Sequence, residues 1–337
     1  MKRKFFWMIA AVCVIAAFTG VGVFASGQEE AGEEQPVVAF SIMDYSIDFL
    51  MELLASARKT AEELGVDLRD YNSQFDTMKQ INNIEDAIAQ GVDCILVHPV
   101  ESSAVTPAVE SANDAGIPIV AVDIMPSGGK LECFVASDNT NIGRMAGEVV
   151  IDNLKEKYGE AKGNIVVLGN DMISSMRLRK IGLKEVFAEY SGIRIVDTHD
   201  FATKLPATIE VTENVLQKYS EGELDFIVAL NSTQTIGAVS TVASANRFDV
   251  LVMGIDKDVD ILNAIKDPKS PLVGTIVQSP SNMGKIAVEN CLKAIKGEPI
   301  EQDFIEAPVQ VVTKVNIDEY FEYAKTLNAE LDPYRVK

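Results

Sequence analysis

The chain has 337 residues, with 50 Asp+Glu against 30 Lys+Arg and a formal net charge of -20. That length holds two domains more naturally than one, and so acidic a chain has no basic stripe to displace phosphate counterions, which argues against a nucleic-acid partner. Two isolated histidines and four cysteines without C-x-x-C spacing give no support to a metal centre or a redox pair.

The chain opens on Lys2, Arg3 and Lys4, followed by an apolar run from Phe5 to Phe24 that ends Val23-Phe24-Ala25. A basic start, an apolar stretch and small residues at the peptidase offsets predict a signal removed near Ala25 and export from the cytoplasm. The alternative is an uncleaved anchor, since the run is long enough to span a bilayer. Cys13 lies inside that run after Val12, where a lipidation site needs a small residue, so lipidation is not expected. Residues 26–35 read as an acidic tether.

From Val37 the chain alternates strand and helix with a period of about 30 residues, the mark of parallel βαβ units. Val37–Ile42 is a predicted strand, and a helix follows with Leu50, Leu53, Leu54, Ala57, Ala61 and Leu64 at helical spacing, stopped by Gly65. Val66–Tyr71, Cys94–Val97 and Ile119–Val122 are the next strands, separated by a helix through Met78, Ile81, Ile84 and Ile88 and a second over Ser103–Ala115. Ile119–Val122 is a short continuous apolar run between turn residues, so it should be buried on both faces. Asp123 stands at its carboxyl end, where open α/β sheets bind ligands. Phe134–Ala136 forms another strand, and Ser137-Asp138-Asn139 opens a helix carrying Ile142, Met145, Ala146, Val149 and Val150. The pattern then restarts: strands over Ile165–Leu168, Ile193–Asp197, Phe226–Leu230, Val250–Met253, Val273–Val277 and Val309–Val312 alternate with helices through Leu183, Leu205–Tyr219, Thr235–Ala245, Ser281–Ile295 and Asp318–Ala324. One sheet of this size is awkward because large twisted sheets split. Two sets of units predict two doubly wound lobes of similar build, joined near Ser137–Asn139.

G-x-G-x-x-G, the P-loop pattern, G-x-S-x-G and H-E-x-x-H are all absent, and neither His98 nor His199 has a nucleophile evident beside it. No residue is singled out for catalysis, and no cofactor is expected. What remains is a set of polar residues at strand ends: Ser41, Asp123, Asn231, Asp256 and Gln278, with Arg177 at the start of a helix. Val120-Ala121-Val122-Asp123 and Val252-Met253-Gly254-Ile255-Asp256 share one layout, an apolar run that ends on aspartate. Singly these residues have plainer explanations, such as helix caps or surface cations. Together they fit a cleft of donors and acceptors suited to hydroxyl groups, with Tyr45, Phe49 and Phe201 as aromatic candidates for its apolar walls. Cys94, Cys133 and Cys291 read as buried thiols, although an exporting compartment would also permit a Cys94–Cys133 bridge.

The stretches VVAFSI, DYNSQFDTMKQINNIEDAIAQGVDCILVHPV, GIPIVAVD, FVASDNTNIGRMAGE, SMRLRKIGLKEVF, FIVALNSTQTIGAV, VMGID and GTIVQSPSNMGKIAVE, in that order, resemble the periplasmic sugar-binding proteins of ABC importers, of the ribose-binding type. The resemblance covers almost all of the chain after the signal. It implies a type I periplasmic binding protein fold, with residues 36–137 plus 279–307 in one lobe and 138–278 plus 308–337 in the other. Hinge crossings are implied near Ser137–Asp138, Gln278–Ser279 and Glu306–Pro308. It also implies ligand contacts at Ser41, Asp123, Arg177, Asn231, Asp256 and Gln278, with Phe201 and one of Tyr45 or Phe49 as aromatic walls. The implied role is capture of a monosaccharide or related polyol by a monomer, without metal or catalysis, and delivery to a membrane permease. The alternatives are presentation of a sugar, inositol, furanone or nucleoside to a chemoreceptor or sensor kinase, and an exported enzyme.

The departures from the ribose-type pattern bear on the solute. Asp123 is followed by Ile124 where that pattern has arginine, and Ile255 precedes Asp256 where it has phenylalanine. The loop after Ser41 is longer and lacks the usual Asn and Pro-Phe-Phe. Trp7, the one tryptophan, lies in the signal, so a tryptophan-stacked hexose site is not expected, and no calcium loop is evident.

Overall fold

Alternation of side chains along single strands decides the architecture. In Val37–Ile42, Val38, Phe40 and Ile42 enter one apolar core while Ala39 enters another. The same split recurs in Cys94–Val97, where Cys94 and Leu96 face one core and Ile95 and Val97 the other. A strand apolar on both faces must be covered by helices on both faces, and that is the arrangement found.

The computed structural model describes residues 35–201 and 204–336. The predicted signal, residues 1–25, and the tether up to residue 34 lie outside the described residues. Strands β1 (Val37–Ile42), β2 (Asp67–Asn72), β3 (Cys94–Val97), β4 (Ile119–Val122), β5 (Cys133–Ala136) and β11 (Phe304–Glu306) form one sheet in the order β11-β5-β4-β3-β1-β2. Strands β6 (Lys162–Gly169), β7 (Gly192–Asp200), β8 (Phe226–Ala229), β9 (Leu251–Ile255), β10 (Leu272–Gln278) and β12 (Val309–Thr313) form the second, in the order β12-β10-β9-β8-β6-β7. The two orders match strand for strand, so β4 corresponds to β9 and β5 to β10.

Helices α1 (Asp48–Leu64) and α9 (Pro280–Lys296) cover one face of the first sheet, and α2 (Thr77–Ala89) and α3 (Thr106–Asp114) the other. On the second sheet, α4 (Asn139–Tyr158) and α5 (Ser174–Ala188) cover one face. The opposite face carries α6 (Leu205–Lys218), α7 (Ser232–Ser244), α8 (Val259–Lys266) and α10 (Ile317–Leu331). The chain passes between the sheets three times: between β5 and α4, between β10 and α9, and between β11 and β12. Local sequence sets these boundaries. Asp138 caps α4 by accepting the Asn141 N–H at 2.9 Å, and Gly65 ends α1 in the left-handed conformation at φ 69°.

Two features differ from the sequence expectation. Phe304–Glu306 was not expected as a strand, because its residues are mostly exposed at a sheet edge and show no apolar alternation. Its neighbour in sequence, β12, runs antiparallel to β10, so the second sheet is parallel except at that edge. A single antiparallel edge strand is common on such sheets, and the direct step from β11 to β12 leaves no crossover that could reverse it. The cysteines Cys94, Cys133 and Cys291 are all free and buried in one core. Burial raises the Cys133 thiol to about 12.

Candidate functional site

In both sheets the strand order reverses beside the first strand, between β1 and β3 in one and between β6 and β8 in the other. Ligands in open α/β sheets bind outside the carboxyl ends at such points. The polar residues that the sequence singles out at strand ends fall into two clusters there.

The first cluster surrounds Asp123, the residue after β4. Its backbone N–H donates to Val135 O at 2.9 Å, and its φ is 62°. A non-glycine residue in the left-handed region costs about 1–2 kcal/mol, less for aspartate than for most. Its carboxylate Oδ2 lies 3.0 Å from His98 Nε2. His98 follows β3 and is 2 % exposed. Its N–H donates to Ser41 O at 2.9 Å, and its own carbonyl accepts from the Gln80 amide at 2.9 Å. Gln80, fully buried on α2, also approaches Ser41 Oγ at 3.4 Å and accepts the Val100 N–H at 2.7 Å.

The second cluster surrounds Asp256, the residue after β9. Its N–H donates to Ile276 O at 2.9 Å and its φ is 77°, the same backbone arrangement one lobe over. Here the side chain is engaged at both oxygens. Gln278 donates to Oδ1 at 2.7 Å, and the Ser232 N–H reaches Oδ2 at 3.3 Å. The Arg179 guanidinium stands 4.0 Å from Oδ2. Arg179 is 4 % exposed, with Nε donating to Asn139 Oδ1 at 2.9 Å and Nη1 to Leu230 O at 2.8 Å. Asn231 caps α7, accepting the Gln234 N–H at 2.9 Å. The helix-cap explanation of Asn231 therefore holds for its oxygen, while its amide nitrogen has no intramolecular acceptor among the described residues.

The remaining candidates sit further out. Arg177 is exposed and donates to Asp171 O at 2.8 Å. Phe201 is half-buried against the core of the second lobe, its N–H bonded to Gly169 O at the end of β6 at 3.2 Å. Tyr45 and Phe49 pack on the core of the first lobe. The Tyr45 hydroxyl donates to Asp70, which Arg58 also grips at 2.8 Å; burial first, then that hydrogen bond, push the phenol well above its ordinary range.

Sequence reasoning missed Arg179 and His98. A signal for Arg179 was present: Met176, Leu183 and Phe187 form the buried stripe of α5, and Arg179 falls on it while Arg177 does not. The approach of α5 to α4 is set by two glycines. A Cβ on Gly143 would lie 1.9 Å from Arg179 O, and one on Gly182 would lie 1.9 Å from Thr140 O. Only glycine permits that approach, and the approach is what brings Arg179 to Asn139. His98 had no such signal, because its partner is 25 residues away and adjacent only through the β3–β4 pairing.

The two lobes meet beside Asp256. Lys257 forms an ion pair with Glu52 of α1 at 2.6 Å, with little of either side chain exposed. Asp258 feels burial first, then Asp256 and Asp48, which together outweigh the Ser232 hydrogen bond and raise its carboxyl above the usual range. A cavity of about 290 Å³ lies among Lys257, Gln278, Ser279, Pro308 and Tyr320, where two of the interlobe passages run side by side. A wider depression of about 890 Å³, among Lys157, Phe248 and Asp249, is at the opposite, amino-terminal edge of the second sheet. Among the described residues no group of three or more His, Cys, Asp or Glu is placed to hold a metal ion.

Comparison with known proteins agrees with the two-sheet fold. The chain is 31 % identical over 293 residues to a ribose import binding protein of Bacillus subtilis, covering 86 % of this chain and 92 % of that one. A solved solute-binding protein of an ABC transporter from Actinobacillus succinogenes, with bound D-allose, superposes with a TM-score of 0.75 at 28 % identity, covering 85 % of this chain and 100 % of the other. Another from Bacillus halodurans, with bound myo-inositol, gives 0.74 at 27 % identity, covering 85 % and 97 %. Residues 38–299 match the family described as periplasmic binding protein domain. With both lobes, their strand orders and these relatives in agreement, the chain belongs to the periplasmic binding protein domain family.

Proposed function

We propose that this protein captures one monosaccharide or related polyol between the carboxyl ends of its two sheets and delivers it to the membrane permease of an ABC importer. The observation that carries the reading is the matched pair of strand-end aspartates, Asp123 and Asp256, each on the same backbone turn of its own lobe. Carboxylates accept from hydroxyls, while the Asn231 amide and the Arg177 and Arg179 guanidinium groups donate, and a vicinal diol needs both. Relatives named for ribose, xylitol and D-allose, and a neighbour holding myo-inositol, support a hydroxyl-rich solute.

Capture works by closure. A small solute gains affinity only when nearly all of it is buried and hydrogen-bonded, with a ceiling of about 1.5 kcal/mol per heavy atom. The three passages near residues 137–138, 278–279 and 306–308 act as the hinge, and the solute favours the closed form because only there do both lobes contact it. Arg177, exposed in the structure described here, swings onto the solute on closure, and Phe201 covers an apolar ring face. The reading includes a monomer, exported with residues 1–25 removed.

The test is a thermal-shift screen over pentoses, hexoses, polyols, inositols and nucleosides, followed by calorimetry. The expected result is one solute class bound with one-to-one stoichiometry and recovered unchanged. Absence of any shift across the panel, or turnover of the solute, would contradict the reading.

A further inference from the structure

His98 contributes more than packing. The imidazole is enclosed, with Ser41 O holding its backbone N–H and Gln80 holding its carbonyl. Both anchors hold the backbone in the lobe interior, and the residue is 2 % exposed. From there Nε2 meets Asp123 Oδ2 at 3.0 Å, while Nδ1 is buried with no hydrogen-bond partner among the described residues. A carboxylate offers only lone pairs, so Nε2 is the nitrogen that donates to it. Asp123 Oδ1 has no intramolecular donor among the described residues, and a quarter of the side chain remains exposed. In the other lobe, Asp256 has donors at both oxygens.

We propose that His98 is a positioning residue for solute recognition: by donating from Nε2 it commits one oxygen of Asp123 to the protein and presents the other to a single hydroxyl of the bound sugar or polyol. This rests on the capture reading above. The consequence is stereochemical. A carboxylate free to rotate can follow either epimer at the hydroxyl it contacts, whereas one clamped at Oδ2 accepts from one direction only. His98 therefore governs selectivity between epimers as well as affinity.

Four variants separate this from a packing role. His98→Leu keeps the volume and removes the donor, and should weaken the preferred solute by about tenfold and reduce its preference over the relevant epimer by a similar factor, as loss of one charge-assisted hydrogen bond requires. His98→Gln carries an amide N–H near the Nε2 position and should restore both to within about threefold, whereas His98→Asn, whose amide falls short, should not. In an Asp123→Ala background, His98→Leu should have no further effect on either quantity. Nitrogen NMR of the solute-free protein should show His98 protonated at Nε2, with that signal shifting in Asp123→Ala.

Wild-type affinity and selectivity in His98→Leu would overturn the inference while leaving capture intact. Equal losses in His98→Leu and His98→Gln would assign the residue to packing and overturn it as well. If the wild-type protein binds nothing in the panel, the capture reading fails and the recognition role of His98 fails with it. A solute-free protein with no proton at His98 Nε2 overturns the clamp itself, whatever the panel shows.

Discussion

Asp123 and Asp256 stand at corresponding places in two sheets of identical strand order, yet they are supported differently. Each follows the fourth strand of its lobe, each adopts a positive φ, and each donates its N–H to the next strand, Val135 O in one lobe and Ile276 O in the other. Beyond the backbone the likeness ends. Asp123 relies on one imidazole from its own lobe. Asp256 sits among Gln278, the Ser232 N–H and, at 4.0 Å, Arg179, which itself ties the start of α4 to the end of β8. The fold thus dictates where a carboxylate can stand, and side chains that differ between the lobes decide how firmly it is held. One lobe offers a carboxylate held at one oxygen, the other a carboxylate held at both.

That contrast predicts unequal costs. The largest effect is expected at the helix contact behind the Asp256 cluster. Gly182→Ala drives a Cβ to within 1.9 Å of Thr140 O, and since backbone must move, it should cost about 3 kcal/mol or more of unfolding free energy in urea. A loss within 0.5 kcal/mol would mean that α5 can withdraw without harm. Arg179→Ala should cost about 3 kcal/mol, because it leaves Leu230 O and Asn139 without their buried donor, and should also weaken solute binding. Arg177→Ala is the control on the same helix: it is exposed, so thermal stability should hold, while calorimetric affinity falls at least about tenfold if the guanidinium joins the solute on closure.

The aspartates come next. Asp256→Ala and Asp123→Ala should each weaken capture by about 10- to 100-fold, and both should lower the melting midpoint: Asp256→Ala strips partners from Gln278 and Arg179, while Asp123→Ala leaves the buried His98 Nε2 without its acceptor and places alanine at φ 62°. Asp123→Gly should bind as poorly as Asp123→Ala yet be more stable by about 1 kcal/mol, because glycine accepts φ 62° without strain. Equal stability of the two would show that the turn is relaxed.

The smallest effect concerns pH. The Asp258 carboxyl is raised above 3.8, by burial first and then by Asp256, Asp48 and Asp260. The native state therefore binds its proton more readily than the unfolded chain, so this group costs stability as pH rises above 3.8. Asp258→Asn should raise the melting midpoint near neutral pH by about 1–3 °C. The gain should vanish as the pH approaches 3.8, and a gain that persists there would assign the effect to something other than charge.

Much of this was legible in the sequence, for identifiable reasons. Ile119–Val122 is bounded by Pro118 and Asp123, so composition marks both ends, and the strand has those limits. The repeated layout of an apolar run ending on aspartate marked Asp123 and Asp256 as counterparts before any sheet was known. Arg179 was open to the same reasoning, since it falls on the buried Met176–Leu183–Phe187 stripe and Arg177 does not. His98 was out of reach: its pairing with Asp123 depends on β3 lying beside β4, which is a property of the sheet. Phe304–Glu306 was missed for the reverse reason, since an exposed edge strand needs no apolar pattern to pair with β5.

The central claim is that two lobes grip one solute through corresponding carboxylates. A crystal structure of the protein with its captured solute tests it directly. The account predicts hydroxyls of a single bound molecule within about 2.5–3.0 Å of Asp123 and of Asp256 at once. A solute held by one lobe alone, or bound away from the carboxyl ends of both sheets, would contradict it.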